Sequence, residues 1–138
     1  MRYEGGCHCG NLKVRFETAL DAGRVPLRAC GCTFCRRHGA TWTSDPAGSL
    51  EVRVGDPQLL SRYRFGLGTS EFLLCRRCGV PVAAVCELDG ATYAALNANA
   101  LDDRGRLTQA PLPVDYDGET AEDRLARRRR AWTPARVG

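Results

Sequence analysis

A chain of 138 residues is long enough for a single domain with a real core, and short enough to gain from metal staples. Its eight cysteines would suit a secreted disulfide scaffold, but Met1 to Gly6 holds no apolar run that could act as a signal peptide, and no transmembrane stretch follows. These features point to a reducing cytoplasm, where clustered cysteines bind metal rather than pair. The formal net charge of +4 falls to roughly +1 once four-thiolate and three-thiolate zinc centres are counted at about −2 and −1. All 20 basic residues except Lys13 are arginines, so the basicity reflects arginine usage and does not amount to a nucleic-acid footprint.

In chain order, the first motif is Gly5-Gly6-Cys7-His8-Cys9-Gly10, flanked by glycine so that the backbone can aim two sulfurs at one ion. Asn11 to Phe16 alternates Leu12, Val14 and Phe16 with Lys13 and Arg15, the period of a half-buried strand. Asp21-Ala22-Gly23 reads as a turn. Val25 to Ala29 reads as an extended segment, with Pro26 favouring an edge or strand start. It delivers the chain to Cys30-Gly31-Cys32-Thr33-Phe34-Cys35-Arg36-Arg37, where Thr33 is expected to cap one helical turn ending at Gly39. Leu50, Val52 and Val54 alternate as another strand after the Asp45-Pro46-Ala47-Gly48 turn. Leu59 to Phe65 and Ser70 to Leu74 flank Gly66 to Thr69 as a hairpin. Its second arm ends at Cys75-Arg76-Arg77-Cys78-Gly79, a zinc-knuckle turn in which Gly79 permits the bend. Val82 to Leu88 and Ala91 to Ala98 flank Asp89-Gly90, a strong short-hairpin signal. Glu119 to Ala131 has helical composition, acidic at its start and ending in Arg127 to Arg130 as the dipole favours. On composition that arginine run is a solvated helix end.

A closed zinc takes four ligands, so the economical pairing sets Cys7 and Cys9 with Cys75 and Cys78 and leaves Cys30, Cys32 and Cys35 together. The first site would close a long loop and serve folding. The second would keep a position open for chemistry unless His38 or Cys86 closes it. Cys86 in an apolar strand is the pattern of a small core residue, and His8 between two cysteines is badly placed to ligate with both. Arg36 and Arg37 either hold a substrate carboxylate or balance zinc-thiolate charge.

The ordered motifs Gly-x-Cys-x-Cys-Gly, Cys-x-Cys-x-x-Cys-Arg-Arg and Phe-x-x-Cys-x-x-Cys-Gly, with Ala98 to Asp103 after them, resemble the glutathione-dependent formaldehyde-activating enzyme family. Centromere protein V is similar too. The resemblance runs from Gly5 to about Asp103. It implies a mainly β chain, a β-tent of twisted antiparallel sheets stapled by zinc, to which composition adds a short C-terminal helix. Residues 1–118 would form the zinc-binding part, and 119–138 a helix and tail of the same domain. It further implies two zinc ions, structural on Cys7, Cys9, Cys75 and Cys78, and catalytic on Cys30, Cys32 and Cys35. The second would hold the thiol of glutathione for a carbon-sulfur lyase-type reaction that makes S-(hydroxymethyl)glutathione. The competing expectation is a non-catalytic zinc module that binds nucleic acid or protein through Arg127 to Arg130.

Overall fold

A computed structural model describes residues 1–138. The chain is mainly β, with eleven strands in one branched sheet and two α-helices. β1 (Arg2–Gly6) and β2 (Leu12–Glu17) form the first hairpin. After them come β3 (Arg28–Cys30), α1 (Thr33–His38), β4 (Trp42–Thr43) and β5 (Ser49–Val54). β6 (Leu60–Tyr63) and β7 (Glu71–Cys75) make the second hairpin, and β8 (Pro81–Leu88) and β9 (Ala91–Asn97) the third. β10 (Leu112–Val114), α2 (Ala121–Ala131) and β11 (Thr133–Val137) complete the order. The main path runs β1-β2-β5-β11-β9-β4-β3-β10, and β8, β7 and β6 branch from β9.

The alternations expected around Leu12 and Leu50 are the inward faces of β2 and β5. These pair antiparallel with Val14 opposite Val52 and Phe16 opposite Leu50. The Asp89-Gly90 turn also forms, with positive φ at both residues (53° and 81°) as a two-residue hairpin demands. Most strand pairs are antiparallel as expected, and two are parallel: β10 with β3 and β11 with β5. Parallel neighbours need long connections, and both pairs join segments far apart in the chain. β11 also pairs antiparallel with β9, so the last strand lies inside the sheet.

Two apolar clusters result. The larger packs Tyr3, Leu12, Phe16, Val52, Leu73 and Leu96 between the hairpins, each side chain worth about 1.5–3 kcal/mol on burial. The smaller gathers Trp42, Ala84, Cys86, Leu88, Ala95 and Trp132, with Cys30, Cys32, Phe34 and Leu125 packed against it. This second cluster sets α1 and the end of α2 on the same part of the sheet. Close packing at the first hairpin depends on Gly5, where a Cβ would lie 2.1 Å from the Ala100 carbonyl oxygen.

Candidate metal centre

Seven of the eight cysteines fall into two groups, Cys7, Cys9, Cys75 and Cys78 in one and Cys30, Cys32 and Cys35 in the other. Within each group the sulfurs lie within 4.8 Å of one another. All eight thiols are free.

The first group is built by two tight turns. Between β1 and β2, the Cys7 N–H donates to the Leu12 carbonyl at 2.9 Å and the Leu12 N–H donates to Cys7 Sγ at 3.3 Å. After β7, the Gly79 N–H donates to the Cys75 carbonyl at 2.8 Å and the Cys78 N–H to Cys75 Sγ at 3.5 Å. Gly79 takes a φ of 81°, as the knuckle requires. Cys9 Sγ lies 3.7 Å from Cys7 Sγ and 3.5 Å from Cys75 Sγ. Zinc-sulfur bonds of about 2.3 Å imply tetrahedral sulfur-sulfur edges of about 3.8 Å, so the spacing fits a four-thiolate zinc. Burial raises the Cys78 pKa, but N–H groups of Val80 and Cys9 outweigh it and draw the thiol down to about 6. A concavity of about 370 Å³, lined in part by Glu4, Arg15, Arg53 and Asp102, opens beside Cys7. Four thiolates would leave no ligand position for chemistry there.

In the second group β3 delivers Cys30, and α1 supplies Cys32 and Cys35. The helix starts differently from expectation: Cys32, not Thr33, is the N-cap, and its Sγ accepts the Cys35 N–H at 3.4 Å. The helix ends at Gly39 in the left-handed conformation (φ 62°), as expected. Trp42 donates its Nε1–H to Cys35 Sγ at 3.3 Å, the kind of outer contact that orients a metal-binding thiolate. Nothing in the sequence spacing marks Trp42, because its contact arises through the placement of β4. Protons are shared unevenly here. Hydrogen bonding from Cys35 draws Cys30 down to about 6 against the cost of burial, with help from the Cys32 N–H and the charge of Arg127. Donation to Cys30, together with burial, pushes Cys35 up. Three clustered cysteine sulfurs suit a soft or borderline cation such as zinc.

The remaining candidates stand apart from the two groups. His8 is exposed. His38 is exposed too, and its ring lies 4.5 Å from that of Phe34. Cys86 is buried in β8 among apolar neighbours, outside the three-sulfur group. Arg36 and Arg37 are exposed in the last turn of α1. Phe34 also meets Phe72, Phe65 and Tyr63 at 4.3, 5.3 and 5.6 Å between ring centres, so the β6–β7 hairpin places an aromatic wall against α1.

The run Arg127 to Arg130 is not uniformly solvated. Arg127 pairs with Glu119 at 3.0 Å and lies 3.6 Å over the Tyr116 ring. Arg128 is 5% exposed and donates to the Thr69 carbonyl and hydroxyl at 3.1 and 2.8 Å. Arg129 pairs with Asp89 at 2.7 Å. Three of the four are therefore engaged within the chain. Helical spacing sets Arg124, Arg127 and Arg128 on one side of α2, where Arg124 and Arg127 meet Glu119 and Tyr116 and Arg128 is buried, a pattern that four consecutive arginines hide in the sequence.

The sequence profile of the family described as "Glutathione-dependent formaldehyde-activating enzyme" matches residues 2–113. Among solved structures, a Rhodobacter sphaeroides protein is similar. It shares 28% identity, covers 80% of this chain and 97% of its own, and superposes with a TM-score of 0.60. Comparison with curated proteins finds no match.

Proposed function

Because the chain belongs to the glutathione-dependent formaldehyde-activating enzyme family, we propose that it is a zinc-dependent carbon-sulfur lyase-type enzyme that joins a small thiol such as glutathione to a carbonyl compound. The observation that carries this reading is the group of three sulfurs that neither His38 nor Cys86 joins. Cys30, Cys32 and Cys35 would hold the catalytic zinc, and Cys7, Cys9, Cys75 and Cys78 a structural one. Zinc bound by three thiolates offers a Lewis-acidic position that lowers the pKa of a substrate thiol.

The chain's own residues prepare that position. Trp42 and the α1 backbone direct N–H groups at the ligand sulfurs, which fixes their orientation and tempers their charge. Arg36 and Arg37, charged and exposed on α1, would attract the anionic thiol compound. The substrate thiol would give up its proton and its sulfur would bond to the carbonyl carbon; the π pair would move to oxygen, which takes back one proton, giving the hydroxymethyl thioether when formaldehyde is the partner. No helix is long and apolar enough to cross a membrane; we assign the protein to the cytoplasm on its clustered free thiols.

The test is the rate of S-(hydroxymethyl)glutathione formation from carbon-13 formaldehyde and glutathione, followed by magnetization-exchange NMR. Zinc-loaded protein is expected to accelerate it and Cys32→Ser to remove the acceleration. An equal rate with and without the parent protein would contradict the proposal.

A further inference from the structure

The cavities, the exposed aromatics and the charged groups outside the cysteine clusters leave one feature that the proposed function does not absorb, an excess of positive charge beside Cys30. Arg28 lies two residues before Cys30 on β3, so the two share a side of the strand. Its Nη2 donates to Ser44 Oγ at 2.7 Å, and Ser44 Oγ donates to the Ala131 carbonyl at the end of α2 at 2.7 Å. This chain of bonds ties β3 to α2, which brings up Arg127 and Arg128. Arg127 lies 3.6 Å over the ring of Tyr116, two residues past Val114, the β10 residue paired with Cys30, and Leu125 and Ala131 of the same helix pack with Cys30 and Cys32 against the smaller apolar cluster. Burial lowers the pKa of Arg128.

The charges do not balance. Glu119 is the one carboxylate paired to this group, at 3.5 Å from Arg124 and 3.0 Å from Arg127. Arg28 and Arg128 make no salt bridge. Arg128 Nε is buried without any hydrogen-bond partner, on a side chain only 5% exposed. Four guanidiniums, one carboxylate and a three-thiolate zinc of about −1 leave about +2. Desolvated cations are costly unless an anion meets them, and a guanidinium is shaped for a carboxylate.

We propose that Arg28, Arg127 and Arg128 form an anion subsite beside the three-cysteine cluster that takes a carboxylate of the thiol ligand. This rests on reading that cluster as a thiol-binding centre. It also gives α2, which lies beyond the family match of residues 2–113, a part in ligand choice: a thiol bearing a carboxylate is preferred over a neutral one.

The test is calorimetric binding of 3-mercaptopropionate and of 2-mercaptoethanol to the zinc-loaded parent and to Arg28→Gln, Arg127→Lys and Arg127→Gln. Arg130→Gln, an exposed change on the same helix, is the control. In the parent the carboxylated thiol is expected to bind roughly ten- to a hundredfold more tightly, as a charge-assisted hydrogen bond implies. That preference should vanish in Arg28→Gln and Arg127→Gln and persist in Arg130→Gln. Arg127→Lys keeps the charge and guards against a glutamine variant that fails to fold; it should retain a reduced preference. Equal binding of the two thiols by the parent, or an undiminished preference in folded Arg28→Gln, would overturn the subsite. If neither thiol binds the parent, the thiol-binding centre itself fails, and glutarate then decides the subsite through melting temperature. Stabilisation of the parent but not of Arg28→Gln would support it, and no stabilisation of the parent would overturn it.

Discussion

At the scale of single residues, the two cysteine groups should answer differently to the same chemical change. Cys75 is 2% exposed and sits in the larger core, tied through the sulfur of Cys9 to the opposite end of the chain. Cys75→Ser should therefore lose zinc and cooperative unfolding together, since the binding energy of a structural zinc is folding energy. A melting curve like the parent's would contradict that. Cys32 is partly exposed at the start of a six-residue helix. Cys32→Ser should keep a cooperative melt while zinc content falls by about one ion per chain. Trp42 separates packing from ligand orientation. Trp42→Phe keeps an aromatic ring near Phe72 but removes the Nε1–H donor to Cys35. Chelator competition should show a roughly tenfold weaker second zinc and an unchanged first one; unchanged affinity at both would leave the indole N–H without a role.

Among the elements, α2 carries the clearest tests of local design. Thr120 caps it by accepting the Asp123 N–H at 3.1 Å, so Thr120→Ala should cost about 1 kcal/mol in denaturant unfolding. Just before it, Glu119 has its carboxyl held below the usual range by hydrogen bonds from Arg127, against burial and with the added charges of Arg127 and Arg124. A depressed carboxylate pKa stabilises the fold fully above the unfolded value of about 4.3, and that contribution is lost as pH falls through the folded value. The stability gap between parent and Glu119→Gln should accordingly be widest near neutral pH and narrow on acidification below about pH 4. A gap that widened in acid would contradict the assignment. The elements also differ in how readily they read from sequence. β2, β5, the β8–β9 hairpin and α1 announce themselves, because period-2 alternation, a two-residue Asp-Gly turn and a C-terminal glycine are local causes. β1, β10 and β11 do not. Arg2 to Gly6 carries two glycines, and Leu112 to Val114 is three residues long around Pro113. Thr133 to Val137 contains Pro134, which ordinarily marks a sheet edge; here it sits where β11 passes between β5 and β9. These strands exist through their partners. The same reason hid Arg28, Trp42 and Arg128 from sequence reading, whereas the seven clustered cysteines were legible because ligand spacing is local and a closed zinc needs four.

Across the whole molecule, the fold hangs on closures between distant segments. The four-cysteine group joins the first hairpin to the second, and β11 joins β5 to β9. Removing residues 133–138 should leave β5 and β9 with unpaired backbone edges and expose Val52 and Ala94. Loss of soluble, cooperatively folding protein is the expected outcome, since such edges invite aggregation. The proposed chemistry requires that the three-cysteine group keep a coordination position for a thiol. Glutathione titrated into protein whose second site holds cobalt tests it most directly, through the sulfur-to-metal charge-transfer absorption. That band is predicted to strengthen with glutathione in the parent and equally in His38→Ala and Cys86→Ala, as a fourth thiolate joins Cys30, Cys32 and Cys35. No change in the parent, with a response appearing only when His38 or Cys86 is removed, would show that the chain closes its own site and would contradict the proposed chemistry.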